Sequence, residues 1–114
     1  MKWVMILSNH EIEGEDFIRI IKTEGRKFCI IKDNGRFYAT QPRCPHAGAD
    51  LSSGWCKNGK LICSFHRYQY DLQTGDGAEG QGDYLKTYPL EVREDGIYIG
   101  LKERWKLLKR ILRL

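Results

Sequence analysis

Residues 44–66 read CPHAGADLSSGWCKNGKLICSFH, and the rest of the chain is arranged around them. Cys44 and His46 are two positions apart, Cys63 and His66 are three apart, and sixteen residues separate His46 from Cys63. Each pair fits a tight loop that offers one thiolate and one imidazole. Two such loops facing each other make a four-donor metal cage. In a chain that reads as cytosolic, cysteines close to histidines are expected to be metal ligands before disulfides. Two other cysteines stand apart from the pattern. Cys29 lies in the apolar run Lys27-Phe28-Cys29-Ile30-Ile31, where a buried, inert thiol is expected. Cys56 follows Gly54-Trp55 between the two pairs and reads as structural rather than ligating.

Strand signals extend outward on both sides. Trp3–Leu7, Phe17–Lys22, Lys27–Lys32 and Phe37–Thr40 lead up to the first loop, with Thr23–Arg26 as a turn. Asn34-Gly35 marks a hairpin of the kind that needs φ > 0 at both central positions. Ser8–Asp16 is polar and acidic and reads as a loop, with His10 a solvated surface histidine. Residues Ala49–Trp55 read as a polar connection, Lys57-Asn58-Gly59 as a turn, and Lys60–Cys63 and Gln69–Leu72 as brief strands around the second loop. The glycine-rich stretch Asp76–Asp83 reads as a flexible loop. Tyr84–Pro89, Leu90–Arg93 and Ile97–Gly100 are the last strands, with Glu94-Asp95-Gly96 as a hairpin turn. Short strands with no helix between them predict an all-β antiparallel sandwich or barrel, with the ligand loops forming a small subdomain.

With 114 residues, 41% of them hydrophobic and 30% charged, the chain suits one soluble globular domain with a modest core. It has no run of eighteen apolar residues, which excludes a spanning helix. The apolar run Trp3–Leu7 is shorter than a signal-peptide core, so the cytoplasm is the expected compartment. Residues 101–114, LKERWKLLKRILRL, differ in character. They contain no Gly or Pro and predict a C-terminal α-helix. Leu101, Trp105, Leu108 and Leu112 would share one face, widened by Leu107, Ile111 and Leu114, with Lys102, Lys106, Lys109, Arg110 and Arg113 opposite. This segment carries six basic residues and one acidic, so residues 1–100 net −1 against +4 for the whole chain. The basic balance belongs to the tail. It suits docking on an anionic membrane surface or a partner groove, and no nucleic-acid partner is expected.

The pattern C-x-H-x16-C-x-x-H, continued by Arg67-Tyr68-Gln69-Tyr70-Asp71-Leu72, resembles the Rieske [2Fe–2S] proteins, and the flanking strands resemble that family's small soluble ferredoxins over roughly residues 1–100. The resemblance implies a Rieske-type fold and one [2Fe–2S] cluster, with Cys44 and Cys63 on the inner iron and His46 and His66 on the outer. Two ferric ions, two sulfides and two thiolates then sum to no formal charge, whereas an all-cysteine cluster carries two negative charges. An added electron is therefore held more favourably, and potentials in the class run from ~ −150 to +300 mV. Zinc also accepts two Cys and two His, but its small modules typically begin C-x₂₋₄-C, whereas here each half pairs Cys with His. Phe65, between two of the ligands, is placed to help exclude water.

Three departures from the wider family carry information. Respiratory members join an extra cysteine in each loop as a disulfide. Ala49 and Phe65 occupy those positions here. A serine that bonds to cluster sulfur in those members is replaced by Tyr68, while Tyr70 matches a tyrosine whose hydroxyl reaches a ligand thiolate. Arg67 stands where many members have Gly, which raises the question of a positive φ there. The resemblance implies a one-electron carrier, not an enzyme, between a reductase and a terminal oxidoreductase such as an oxygenase. The alternatives are a Rieske subunit docked by its basic tail to a membrane or a larger redox complex, and a zinc-stabilised binding module.

Overall fold

Strand β3 (Arg26–Asp33) is the wall on which the molecule is built. Its four central residues, Phe28, Cys29, Ile30 and Ile31, are all 0% exposed. Side chains alternate across a strand, so the run faces two cores at once. Phe28 and Ile30 join Ile6, Leu7, Ala39, Ile97, Ile99 and Leu101 on one side. Cys29 and Ile31 join Cys44, Leu51, Leu61, Cys63, Tyr70, Leu72 and Leu85 on the other. An unbroken apolar run is what a strand covered on both faces requires.

The computed structural model describes residues 1–102. β3 sits in a four-stranded antiparallel sheet of order β2-β3-β4-β8, with β2 at Phe17–Thr23, β4 at Arg36–Thr40 and β8 at Thr87–Tyr88. The first core is closed by a second sheet, β1-β10-β9, formed from Lys2–Ser8, Gly96–Leu101 and Leu90–Arg93. The second core is closed by a third sheet, β5-β6-β7, of three-residue strands Trp55–Lys57, Lys60–Ile62 and Gln69–Asp71. The architecture is all-β and antiparallel, as the sequence predicts.

Turn chemistry fixes the hairpin registers. Asn34 and Gly35 have φ of 51° and 75°, and the pairs Glu24-Gly25 and Asn58-Gly59 are also positive at both positions. Two-residue loops of this kind match the twist of the strands they join. Pro89 divides what reads as a nearly continuous strand pair. The chain leaves the central sheet at Tyr88 and enters the second sheet at Leu90, and a residue without an N–H suits such a break.

Four local readings need correction. Ser8–Asp16 holds a short helix, α1 (Asn9–Ile12), because the Glu11 carboxylate accepts the Ser8 N–H at 3.0 Å and closes the first turn. Trp55, read as the end of the connection from Ala49, and Cys56, read as a structural residue between the two pairs, are in a strand, since they pair with Ile62 and Leu61. The stretch 76–83, read as flexible, is tied to the third sheet by Ala78 N–H to Gln69 O at 3.0 Å and Asp71 N–H to Asp76 O at 2.8 Å, and closed on itself by Gly77 N–H to Asp83 O at 3.1 Å. Leu101, read as the first residue of the helix, ends β10 opposite Lys2 and is 6% exposed. The rest of that helix, residues 103–114, lies outside the described residues. Among the described residues no helix is long and apolar enough to cross a membrane.

Candidate metal centre

The two Cys/His loops are built on one plan. In the first, which follows β4, the Cys44 N–H donates to the Ala49 carbonyl at 2.8 Å. In the second, which follows β6, the Cys63 N–H donates to the Tyr68 carbonyl at 2.8 Å. Each cysteine thus ties the base of its loop to the residue five positions on, and the histidine lies at the tip between. Reversing the chain in so short a span needs left-handed backbone. The first loop uses Gly48 (φ 73°); the second uses His66 (φ 62°) and Arg67 (φ 56°), neither of them glycine. The Arg67 question is therefore answered: the residue does occupy the left-handed region, at a cost to an L side chain of about 1 kcal/mol or more.

Further bonds brace the loops from behind. The Arg43 guanidinium donates to the Gly48 carbonyl at 3.0 Å, and Leu51 N–H donates to the Pro42 carbonyl at 3.0 Å. Asp50 caps a 3₁₀ turn at Leu51–Ser53, its Oδ1 accepting the Ser52 N–H at 2.9 Å. The Ser52 hydroxyl, which donates to the same oxygen at 2.6 Å, and that backbone bond hold the Asp50 carboxyl below its ordinary range. The turn meets the second loop through a 2.7 Å contact between the Ser53 and Ser64 hydroxyls.

The four predicted donors come together as two unlike pairs. Cys44 and Cys63 are buried, at 2% and 0% exposure. Burial pushes the Cys63 thiol up; the Phe65 N–H opposes this by bonding to its sulfur, and a hydrogen bond with the Cys44 thiol adds to it. His46 and His66 are exposed, with ring centroids 5.5 Å apart. Among the described residues, no three Cys, His, Asp or Glu side chains gather as a single-ion site needs. An inner thiol pair and an outer imidazole pair suit a sulfide-bridged pair of irons better than one tetrahedral zinc ion. All four cysteines are free, so neither loop carries a disulfide clamp. Cys29 and Cys56 lie in strands rather than in the two loops, and burial pushes both thiols up to about 12.

Two neighbours of the site escaped sequence reasoning. The Tyr68 ring lies flat on that of His46, with centroids 3.9 Å apart and planes 17° from parallel. Nothing but an aromatic two residues beyond the second histidine hinted at this. The Tyr70 hydroxyl lies 3.4 Å from Cys44 Sγ, as the resemblance implies, but it also donates to Asp83 Oδ2 at 2.8 Å. Asp83 is thirteen residues away across a glycine-rich loop, and no local pattern marks it. Phe65 packs against His66 at 4.6 Å between centroids while remaining 52% exposed, so it covers that ring only in part.

A buried thiol pair, an exposed imidazole pair and a three-layer β scaffold define a metalloprotein whose centre lies close to the surface, the arrangement of an electron-transfer module. The model of the Rieske [2Fe–2S] domain matches residues 2–89, and the chain belongs to that family. It is 27% identical over 101 residues to the ferredoxin component of the naphthalene 1,2-dioxygenase system of Pseudomonas aeruginosa, covering 88% of this chain and 96% of that one. It is 31% identical to human apoptosis-inducing factor 3 over 74% of this chain but only 14% of that much longer protein. The ferredoxin of carbazole 1,9a-dioxygenase from Nocardioides aromaticivorans superposes with a TM-score of 0.77 over 90% of this chain and 100% of that one, at 20% identity, a likeness of fold. The protein carries a Rieske-type [2Fe–2S] cluster and is a ferredoxin-type electron carrier that works with redox protein partners.

Proposed function

We propose that Cys44 and Cys63 hold one iron of the cluster and His46 and His66 the other, and that the chain passes single electrons from a reductase to a terminal oxygenase. The observation that carries this reading is the sorting of donors into a buried thiol pair and an exposed imidazole pair. When bound, the cluster supplies a one-electron couple at a potential set by its ligands, hydrogen bonds and exposure. The chain's own residues do the rest. Leu51, Leu61, Leu72 and Leu85 pack around the thiols and keep water from them. The Phe65 amide bonds to the Cys63 sulfur. His46 and His66 stand at the surface, where a partner approaches within electron-transfer distance. Support for an oxygenase acceptor comes from the dioxygenase ferredoxin component, matched over nearly its whole length.

The basic residues from Lys102 onward belong to the same reading as an anionic docking element, for the partner or for a membrane surface, supported by their net charge of +5. Cytoplasmic placement belongs to it too, supported by four unpaired cysteines. The test is metal and sulfide analysis with electron paramagnetic resonance of the reduced protein. Equal amounts of iron and labile sulfide are expected, with an average g below that of an all-cysteine cluster. Stoichiometric zinc and a colourless protein, after expression with adequate iron, would overturn it.

A further inference from the structure

We propose that Asp83 is a positioning residue that captures the Tyr70 hydroxyl proton and so limits the hydrogen bond Tyr70 gives to the Cys44 sulfur. This rests on the assignment of Cys44 as a ligand. The Tyr70 side chain is 0% exposed, and its hydroxyl stands between two acceptors, Cys44 Sγ at 3.4 Å and Asp83 Oδ2 at 2.8 Å. A phenol has one proton to give. A ligating thiolate and an ionised carboxylate only accept, so the two compete for it. The contact to the carboxylate is charge-assisted and the stronger of the two.

The carboxylate is held in place rather than drifting in solvent. Gln81 Nε2 donates to Asp83 Oδ1 at 3.2 Å and to the Gln69 carbonyl at 3.1 Å, while Gln81 Oε1 accepts the Gln69 N–H at 2.9 Å. Gln81 thereby ties Asp83 to β7, the strand that carries Tyr70. Gly77 closes the arrangement from the other side. A Cβ there would lie 2.5 Å from the Asp83 carbonyl oxygen and 2.7 Å from its Oδ1, so no larger residue fits without displacing the carboxylate. Gly77 is thus matched to the placement of this one residue.

The consequence concerns the potential. A hydrogen bond to a ligand sulfur favours the state with more electron density on it and raises the potential. By accepting the Tyr70 hydrogen bond, Asp83 keeps the potential low. The charge of Asp83 acts in the same direction, so the two effects must be separated.

Midpoint potentials of the cluster-loaded protein, measured for Asp83→Ala, Tyr70→Phe and the double variant, separate them. Removal of Asp83 is expected to raise the potential more when the Tyr70 hydroxyl is present than when it is absent. Tyr70→Phe is correspondingly expected to lower the potential little in the wild type and clearly in the Asp83→Ala background. Equal shifts in both backgrounds would reduce Asp83 to a plain charge and overturn the proposal. Asp83→Leu, of similar size and without an acceptor atom, supplies the same comparison if Asp83→Ala does not fold.

A second readout needs no redox couple. The tyrosine doublet in the Raman spectrum, taken as wild type minus Tyr70→Phe, reports whether that phenol is a strong donor. Its strong-donor signature should weaken in Asp83→Ala, and an unchanged doublet would also overturn the proposal. Cys44→Ser keeps the two failures apart: a normal cluster in that variant would sink the ligand assignment, while the Raman comparison still decides the Tyr70–Asp83 bond.

Discussion

The two cores on either side of β3 hold together by different means. The one shared with β1 and β10 is made of long strands and apolar side chains: Leu7, Phe28, Ile30, Ile97 and Ile99 are each 0–1% exposed. The one beneath the metal centre is closed by strands of three residues. Its loops are held by side-chain caps and single backbone bonds, and two of its buried members are the thiols Cys44 and Cys63. The first side is stabilised by buried apolar area, at about 1.5–3 kcal/mol per large side chain. The second also buries large side chains, among them Ile31, Leu51, Leu61, Tyr70 and Leu85, but it is closed by short strands and loops and gains further order from the bound metal, whose binding free energy is also folding free energy. The scaffold and the site are therefore expected to respond to different insults.

The largest effect should come from the site side. Cys44→Ser or Cys63→Ser should abolish the cluster or leave it very labile, read as loss of visible absorption and of bound iron. The β1-β10-β9 sheet should persist by circular dichroism and amide exchange. If that sheet unravels as well, the two sides are one cooperative unit and the contrast fails.

Phe28→Ala attacks the scaffold instead. It removes a fully buried ring that packs edge-on against Tyr88 at 4.9 Å, and a change of this kind costs about 3–5 kcal/mol. Chemical denaturation should show the loss, while the potential of the surviving folded protein should stay where it was. A clear shift in potential would mean that strain crosses β3.

Arg67→Gly sharpens the comparison within the second loop. It relieves a left-handed residue at φ 56°, and a gain of up to about 1 kcal/mol is expected, offset in part by the freedom glycine returns to the unfolded chain. A fall in stability would show that the Arg67 side chain contributes something its backbone conformation hides. The potential itself is expected in the lower half of the class range, ~ −150 to +50 mV, because Tyr68 replaces the serine donor and no disulfide clamps the loops. A voltammetric midpoint near ~ +300 mV would show that these features are ranked wrongly.

The smallest effect is the pH dependence of the loop caps. Backbone hydrogen bonds from Thr74 and Gln73 hold the Asp71 carboxyl below its ordinary range, and bonds from Ser52 do the same for Asp50. A carboxyl depressed by folding contributes stability above its unfolded value of about 4, and that contribution disappears as the pH falls through the folded value. Denaturation curves should thus show the site side weakening in acid, and Asp71→Asn should flatten part of that slope. A slope unchanged in Asp71→Asn would remove this cap from the account.

Much of this was legible from the chain alone. The four donors stand out because a short loop can present a Cys and a His only from nearby positions, and the spacing survives any packing. The strands through Phe17–Lys22 and Lys27–Lys32 and the Asn34-Gly35 turn were readable because backbone preference acts over a few residues. Trp55–Cys56 was hidden because a three-residue strand is too short to show a period. Leu101 was hidden because its helical signal is local, while its burial against β1 depends on a partner about a hundred residues away.

The sequence by itself determined which groups could hold a metal, where the chain turns, and that its basic charge sits beyond residue 101. Only the tertiary structure decided how deeply the two thiols are buried, that Tyr68 stacks on His46, and that the Tyr70 hydroxyl donates to Asp83. Those facts depend on register and on the closing of long loops. Such contacts are set by which distant surfaces meet, and no stretch of neighbouring residues encodes that alone.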